Sequence, residues 1–500
     1  MGPVREVEPN DHFTQAAAIP LHSKVVGTMR SPDDVDVYRL DATQDSGVLS
    51  VHVGGIREID FVISLLDKDR QEIKRFDETG LGGDEEALDI GLQRGTYYLS
   101  LANKNPKANN PTQEYSMTVK VESSAGKEME PNDTALTAQL IAPGGVTRGH
   151  YFPSQNLLAA DKEFAEEDWY KIHVANPGQY LLNIDVSEVP KVQPILEIYD
   201  ANSYKIKEIA AAEPGAAVSL KNLGVRGPAD YLVRLRSRAQ HAGNADVAYE
   251  LLTELVPYQG RSEFEPNDQR LDATVPEGDS ITGTIAPEGD VDWFKVSVDT
   301  DSKQLLRAEV SGVPGMDLVL KLCDEVGNPL LAIDNMGKEQ PEVLTGFGLK
   351  KGAYYLVVSE KSGKKADARH PYTLTKSIAV WQAGLELEPN DAAASAQTIK
   401  VGESADGYIA PKGDVDWYQF NVYQQGKALI EITGVLNVQF TATLVDQDGK
   451  EMQTVSGKKP GDPVSIEKDL APGTYLVRLR AADPEQNNVR DKYTFRLKMR

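Results

Sequence analysis

Cysteine is nearly absent from the sequence, since Cys323 is the only one among 500 residues. A single thiol excludes an internal disulfide framework and any zinc or iron–sulfur site built from cysteines. Long apolar runs are missing too, and without one of roughly 18 residues no transmembrane segment is predicted. Basic residues are outnumbered by acidic ones, and the formal charge of −23 argues against nucleic acid as a partner.

Catalytic sequence motifs are also lacking. The chain has no GxSxG, no HExxH and no P-loop, and its seven histidines fall at different positions in different repeats. Paired carboxylates could serve a glycosidase, but here they recur in four equivalent copies, and catalysis rarely needs four centres in one chain. We therefore expect that the protein is not an enzyme.

What the sequence does contain is a fourfold repeat. A Glu-x-Glu-Pro-Asn-Asp motif begins at Glu6, Glu128, Glu263 and Glu386. Each copy is followed by an acidic and aromatic segment: DVDVY at 34–38, EEDWY at 166–170, DVDWF at 290–294 and DVDWY at 414–418. The second repeat carries an insertion near 150–165.

Alternation with a period of two indicates that each repeat is built from strands. In the last segment, Tyr493, Phe495 and Leu497 alternate with polar residues, which places one face on a core and the other in water. Turn signals separate such segments at the spacing typical of antiparallel sandwiches, and a short helical turn is expected only after each Pro-Asn-Asp, as at 14–19 and 394–399. We predict an all-β chain of four tandem β-sandwich domains, at 5–121, 127–257, 262–380 and 385–500.

The acidic residues of the fourth repeat predict a metal site. Two short extended segments carry the candidates Glu386, Glu388, Asn390, Asp391, Asp414 and Asp416. Because residues i and i+2 of an extended segment point the same way, each segment presents two carboxylates on one side. Such a group, with no lysine or arginine in its motif, would repel itself without a cation, and this many hard oxygen ligands suit Ca2+ better than zinc or magnesium.

The same candidates recur in the other repeats. They are Glu6, Glu8, Asn10, Asp11, Asp34 and Asp36 in the first, Glu128, Glu130, Asn132, Asp133, Glu166 and Asp168 in the second, and Glu263, Glu265, Asn267, Asp268, Asp290 and Asp292 in the third. The second repeat departs from the pattern, because Glu166 and Glu167 replace the first aspartate. We expect its calcium site to differ from the other three.

A simpler interpretation of these motifs stays open. Glu, Pro, Asn and Asp are ordinary turn and helix-cap residues, so one isolated motif would be a capped loop. The second segment alone could be a strand with two solvated carboxylates and an aromatic anchor. Joint recurrence at near-constant spacing favours calcium.

The combined motifs resemble the bacterial pre-peptidase C-terminal domain family, which is related to the collagen-binding domains of clostridial collagenases. The resemblance covers almost the whole chain as four tandem copies. It implies a jelly-roll-like sandwich, calcium bound by the acidic segment ahead of the first strand together with acids on the following strand, and an association with secreted peptidases. On this basis Glu386, Glu388, Asn390, Asp391 and Asp416 are implied calcium ligands.

Two classes of function follow as expectations. The first is a non-catalytic, calcium-stabilised binding or adhesion protein of the cell exterior, whose partner is a protein or polysaccharide surface; a structural spacer differs only in lacking a ligand. The second is the accessory region of a secreted peptidase whose catalytic domain is absent here. Either class predicts an extracellular, cell-surface or periplasmic location with a leader already removed. Either also predicts that calcium holds each short connector against the sandwich that follows it.

Overall fold

The computed structural model of the protein describes residues 2–152, 167–239 and 242–500. Over these ranges the chain is all-β, and seven sheets form four β-sandwiches, which confirms the predicted fold class. Within the same ranges, no helix is long and apolar enough to cross a membrane. The predicted insertion falls mostly outside the described residues, as does the candidate Glu166.

The chain divides into two compact units, Met1–Pro257 and Tyr258–Arg500. Each unit holds two sandwiches, which we number 1 and 2 in the first unit and 3 and 4 in the second. The sandwich numbers therefore match those of the sequence repeats.

Sandwich 1 consists of two five-stranded sheets, with strand orders β1-β3-β10-β5-β8 and β2-β4-β9-β6-β7. Its strands β1 to β10 are Val4–Arg5, Ala17–Ala18, Ser23–Met29, Val35–Ala42, Gly47–Gly54, Phe61–Leu66, Glu72–Phe76, Glu85–Leu92, Gly95–Asn103 and Asn110–Glu122.

Sandwich 2 has its strands joined in one sheet, β12-β17-β13-β16-β14-β15, with β11 beside β13. Its strands β11 to β17 are Gln139–Ile141, Val146–Tyr151, Glu167–Val186, Pro194–Tyr199, Lys205–Ala210, Val218–Ser237 and Asn244–Pro257. The sheets join because β13 and β16 are each 20 residues long. Each corresponds to two consecutive strands of sandwich 1 that belong to different sheets.

Sandwich 3 pairs two four-stranded sheets, β18-β25-β20-β23 and β19-β24-β21-β22. Its strands β18 to β25 are Ser280–Ile285, Val291–Val298, Gln304–Val310, Leu318–Cys323, Pro329–Ile333, Glu342–Leu349, Gly352–Glu360 and Asp367–Val380. A single 3-10 turn, Arg270–Asp272, precedes them.

Sandwich 4 pairs a five-stranded sheet, β26-β28-β33-β30-β31, with a four-stranded one, β27-β34-β29-β32. Its strands β26 to β34 are Gln397–Thr398, Ser404–Ile409, Val415–Val422, Gly426–Ile432, Phe440–Asp446, Glu451–Ser456, Val464–Leu470, Gly473–Ala481 and Asn488–Met499. The helical turn predicted at 394–399 is a 3-10 turn at Ala393–Ser395, whereas 14–19 contains the short strand β2, because Ala17 and Ala18 pair with Tyr38 and Arg39.

The cores follow the alternation seen in the sequence. In β34, for example, Tyr493, Phe495 and Leu497 are fully buried while Thr494 and Arg496 between them are not. The buried faces of the two sheets meet in a separate apolar cluster for each sandwich. A core of this kind fixes the strand ends and so fixes the positions of the acidic residues next to them.

Candidate metal centre

The Glu-Pro-Asn-Asp segment lies alongside the acidic strand of its own sandwich. In sandwich 4, Glu386 N donates to Asp406 O at 2.9 Å, and Trp417 N donates to Asn390 O at 3.1 Å. The second of these bonds has a counterpart at 2.9 to 3.1 Å in every sandwich. The Glu-Pro peptide bond is cis in all four. Backbone hydrogen bonds therefore join the two motifs found in the sequence.

The first glutamate of each motif turns back onto a strand that carries a glycine. Glu386 Oε2 accepts a hydrogen bond from Tyr408 N at 2.9 Å. A side chain at Gly407 would place its Cβ 2.5 Å from Tyr493 Oη and 2.7 Å from Glu386 Cδ. Glycine occupies the same place at 27, 149 and 283, because only a residue without a side chain leaves room for the glutamate.

The second glutamate binds the turn that follows it. Glu388 Oε2 accepts from Asn390 N at 2.7 Å, and the equivalent bond measures 2.8 to 3.0 Å in the other three sandwiches. One oxygen of this carboxylate is thus used for the turn. The other, Oε1, is left to face the remaining acids.

Tyrosines lie beneath the carboxylates, and the sequence interpretation missed their role. Tyr493 Oη donates to Asp416 Oδ2 at 2.8 Å and lies 2.6 Å from Tyr418 Oη. A tyrosine donates to the same aspartate in every sandwich, as Tyr115, Tyr249, Tyr372 and Tyr493. Its recurrence in the closing strand of each sandwich, that is, the last strand (β10, β17, β25 and β34), was the available signal.

Three acids converge twice in sandwich 4. Glu386, Glu388 and Asp416 form what we term the inner group, and Glu388, Asp391 and Asp414 form the outer group. In each group the ligand oxygens all lie within 4.8 Å of one another. Asp414 and Asp416, expected on one side of a strand, thus belong to adjacent groups, because Asp414 precedes the strand and accepts a hydrogen bond from Ala410 N at 2.6 Å.

Matching groups occur in the other sandwiches. The outer group recurs as Glu8, Asp11 and Asp34 and as Glu265, Asp268 and Asp290, and the inner group recurs as Glu128, Glu130 and Asp168. Several other candidates flank these groups within the described residues, and one contact is Asn10 Nδ2 donating to Asp36 Oδ1 at 2.8 Å. These flanking candidates are Glu6, Asn10, Asp36, Asn132, Asp133, Glu263, Asn267, Asp292 and Asn390.

Burial raises the pKa of several of these carboxyls far above their ordinary values. Burial, with nearby Glu386, raises the pKa of Glu388 to about 9, and burial raises that of Asp36 to about 8. Burial and the charge of Glu386 also raise the pKa of Asp416. A carboxyl with so high a pKa is protonated at neutral pH unless a cation neutralises it.

Unpartnered oxygens indicate that the clusters fit a cation. Asn10 Oδ1, Asn267 Oδ1 and Asp292 Oδ1 are buried and find no hydrogen-bond partner among the described residues. A buried oxygen without a donor costs about 1–3 kcal/mol, which a bound cation would offset.

The side-chain amide of Asn390 is also placed where it could bind a cation. With its nitrogen turned inward, it donates to Glu388 Oε1 at 3.1 Å and to Asp416 Oδ1 at 3.2 Å. With its oxygen there instead, three oxygens face one another, an arrangement that a cation between them would stabilise. Carboxylate and amide oxygens with some solvent access are the ligand set that Ca2+ takes.

Comparison with known proteins finds similar solved structures but no family and no function. No family model and no curated protein matches the chain. It is similar to the pre-peptidase C-terminal domain of a Bacillus anthracis collagenase, at 20% identity over 21% of this chain and 94% of that one, with a TM-score of 0.18.

Two other solved structures are similar at lower identity. A biofilm-associated protein, described as its BSP domain, is 10% identical over 97% of this chain and 98% of that one, with a TM-score of 0.15. The exported protein XepA of PBSX is 10% identical over 47% of this chain and 87% of that one, with a TM-score of 0.17. Membership of the pre-peptidase family stays a prediction.

Proposed function

We propose that the chain is a calcium-stabilised, non-catalytic protein of the cell exterior whose four sandwiches serve binding or adhesion. The observation that supports this is the convergence of acids from two motifs on shared points, with buried oxygens such as Asn10 Oδ1 lacking a donor. Repetition of the outer group in sandwiches 1, 3 and 4 supports a structural role for these acids rather than one catalytic centre.

The external location is proposed from the chemistry of the groups. Asp11, Asp268 and Asp391 are exposed, so each outer group is open to solvent and exchanges its ion with the medium. Extracellular calcium modules work with dissociation constants of roughly 0.1 to 1 mM, which matches such open sites. Four sandwiches in one chain also provide reach and multivalency toward a polymer or surface.

Thermal unfolding of the full chain tests the calcium role. At about 100-fold excess over its dissociation constant, one site contributes about 2.7 kcal/mol, or roughly 8 to 15 °C for a domain of this size. Magnesium at the same concentration is the control, and we expect a much smaller shift because its small octahedral shell fits these groups poorly. Equal melting temperatures in calcium and in chelator would refute the proposal.

The binding role has a separate test. Beads coated with the full chain are applied to protein-coated and polysaccharide-coated surfaces, with calcium and with chelator. We expect calcium-dependent retention on one class of surface. No retention on either class, from a chain that melts higher in calcium, would leave a calcium-stabilised spacer as the function.

A further inference from the structure

A lysine of sandwich 1 reaches into the acidic cluster of sandwich 2. Lys74, in β7, places its Nζ 2.6 Å from Glu130 Oε1 and 3.4 Å from Asp133 Oδ1. Its side chain is 11% exposed and that of Glu130 is fully buried. These two acids occupy the motif positions of Glu388 and Asp391, so the ammonium lies at the outer group of the second repeat.

The joint between these two sandwiches packs tightly around that lysine. Lys74 Nζ lies 5.9 Å from the centroid of the Phe152 ring, and Phe152 packs edge-on against Phe76 at 5.8 Å. Phe152 belongs to sandwich 2, yet it is buried in the core of sandwich 1. Gly91 N also donates to Glu130 O at 2.9 Å. Aromatic packing therefore surrounds the ammonium, and backbone pairing fixes Glu130 beside it.

The register of the sheets identifies the matching position in the second unit. Lys74 pairs with Leu65, which pairs with Leu99. In sandwich 3, Leu331 pairs with Leu322, which pairs with Leu356. Leu99 and Leu356 each lie opposite the core aromatic of the acidic segment, Tyr38 or Phe294. Leu331 therefore occupies in sandwich 3 the place that Lys74 occupies in sandwich 1.

The second unit thus lacks both groups that fill the first joint. Gly149 and Gly407 each pair with the closing-strand tyrosine, so Phe152, three residues on, corresponds to Ala410. The smaller side chains leave a cleft between sandwiches 3 and 4. Its lining includes Leu331, Phe347, Glu388, Asp391, Ala410 and Asp414.

No other cation takes the place of Lys74 in sandwich 4. Within the described residues, no lysine or arginine forms an ion pair with Glu388, Asp391 or Asp414. In sandwich 1, Arg30 Nε lies 3.7 Å from Glu8 Oε1, but its side chain is 54% exposed and is free to leave. Lys74 is distinguished from Arg30 by its burial.

We infer that the Lys74 ammonium takes the outer calcium position of the second repeat, whereas the fourth repeat takes calcium itself at Glu388, Asp391 and Asp414. The 2.6 Å from Nζ to Glu130 Oε1 leaves no room for an ion that needs oxygens at about 2.3–2.6 Å. The joint of sandwiches 1 and 2 is then held without calcium, and that of sandwiches 3 and 4 depends on it. This inference rests on the calcium role proposed above.

Reciprocal substitutions in the full chain test the inference by calorimetric calcium titration. Leu331→Lys supplies the fourth repeat with its own ammonium, and we expect one calcium ion fewer per chain than in the unsubstituted protein. Lys74→Met removes the ammonium without removing its packing, and we expect one ion more. Ala332→Lys adds the same charge on the exposed side of the same strand and should leave the number unchanged.

The outcomes separate the inference from the proposed function. An unsubstituted chain that binds no calcium ends both. A chain that binds calcium, with the same number of ions in Leu331→Lys and Lys74→Met, overturns the inference alone.

Limited proteolysis of the unsubstituted chain gives a second reading that needs no variant. We expect the connector at 381–384 to be cut several-fold faster in chelator than in calcium, and the connector at 122–127 at the same rate in both. Calcium protection of both connectors to the same degree would overturn the inference.

Discussion

The two joints within the units share a backbone pairing and differ in the side chains that surround their acids. Gly91 N donates to Glu130 O at 2.9 Å in the first unit, and Gly348 N donates to Glu388 O at 2.7 Å in the second. Beside this common pairing, the first joint is filled by Lys74 and Phe152, whereas the second is lined by Leu331 and Ala410. The first joint therefore contains a cation supplied by the chain, and our inference is that the second takes its cation from the solvent.

The difference has a thermodynamic consequence. A tethered ammonium is always present at its site, so its contribution does not depend on the medium. A calcium ion stabilises a site by an amount that grows with the logarithm of its concentration once the site begins to fill. We expect the two units to respond differently to the same change in calcium.

The largest effect we expect is the pH dependence of the calcium-free protein. Burial raises the pKa of Glu388 to about 9 and those of Asp36 and Glu128 to about 8, against roughly 4 for unfolded carboxyls. The folded protein then binds more protons than the unfolded one between these values, so its stability falls as pH rises from about 4 to 9. Urea unfolding in chelator measures this fall.

Calcium should reverse that slope, because it binds only the ionised carboxylates. The same unfolding series in calcium is the control. If the free energy of unfolding in chelator stays flat or rises from pH 5 to pH 8, the pKa values of these acids are not raised in the calcium-free protein, and the prediction is wrong.

Removing the aromatic filling of the first joint should have the next largest effect. Phe152→Ala leaves a cavity where a ring that is 3% exposed had packed, and we expect a loss of about 3–5 kcal/mol. The loss should be the same in calcium and in chelator, because calcium does not hold this joint. Tyr204→Ala, at a ring that is 73% exposed, is the control and should cost much less.

Asp416→Asn should act with opposite sign in calcium and in chelator. In chelator it replaces a carboxyl whose pKa is raised by burial, and whose ionisation is therefore costly, with a neutral amide whose oxygen still accepts from Tyr493, so the melting temperature should rise. In calcium it removes the charge of a carboxylate beside Glu388, which the inner and outer groups share, so part of the calcium-dependent gain of about 2.7 kcal/mol in sandwich 4 should be lost. The exposed substitution Asp448→Asn should do neither.

Substitution of the paired tyrosines Tyr493 and Tyr418 should have the smallest effect on the free energy of unfolding. Tyr493→Phe removes the one hydroxyl proton that can bond to Asp416 Oδ2 at 2.8 Å or to Glu386 Oε1 at 2.7 Å, and we expect a cost of about 1–2 kcal/mol. Tyr418→Phe should cost less, because phenylalanine already occupies this place in sandwich 3 as Phe294. Equal costs in thermal unfolding would show that Tyr493 does not position the acids.

Much of the fold was predictable from the sequence because its signals are local. Alternation in segments such as 493–499 reports one buried and one exposed face, and the repeated motifs mark where each sandwich begins. The acids were found for the same reason, since they recur within short motifs. The division of Asp414 and Asp416 between two groups was not predictable, because it depends on where the strand begins.

The contacts that distinguish the joints could not be read from the sequence. Lys74 lies 56 residues before Glu130 and in a different sandwich, so no motif connects them. Phe152 stands at the position of Ala410, but only the packing shows that its ring enters the neighbouring core. Such tertiary contacts require the register of both sandwiches to be known.

Anomalous diffraction from crystals of the full chain soaked in calcium tests the central claim most directly. We expect calcium at the outer groups of sandwiches 1 and 4, each with carboxylate oxygens at about 2.3–2.6 Å, and the Lys74 ammonium instead of an ion beside Glu130 and Asp133. Fully formed outer groups that hold no calcium at saturating concentration, or an ion that displaces Lys74 from Glu130, would contradict the account.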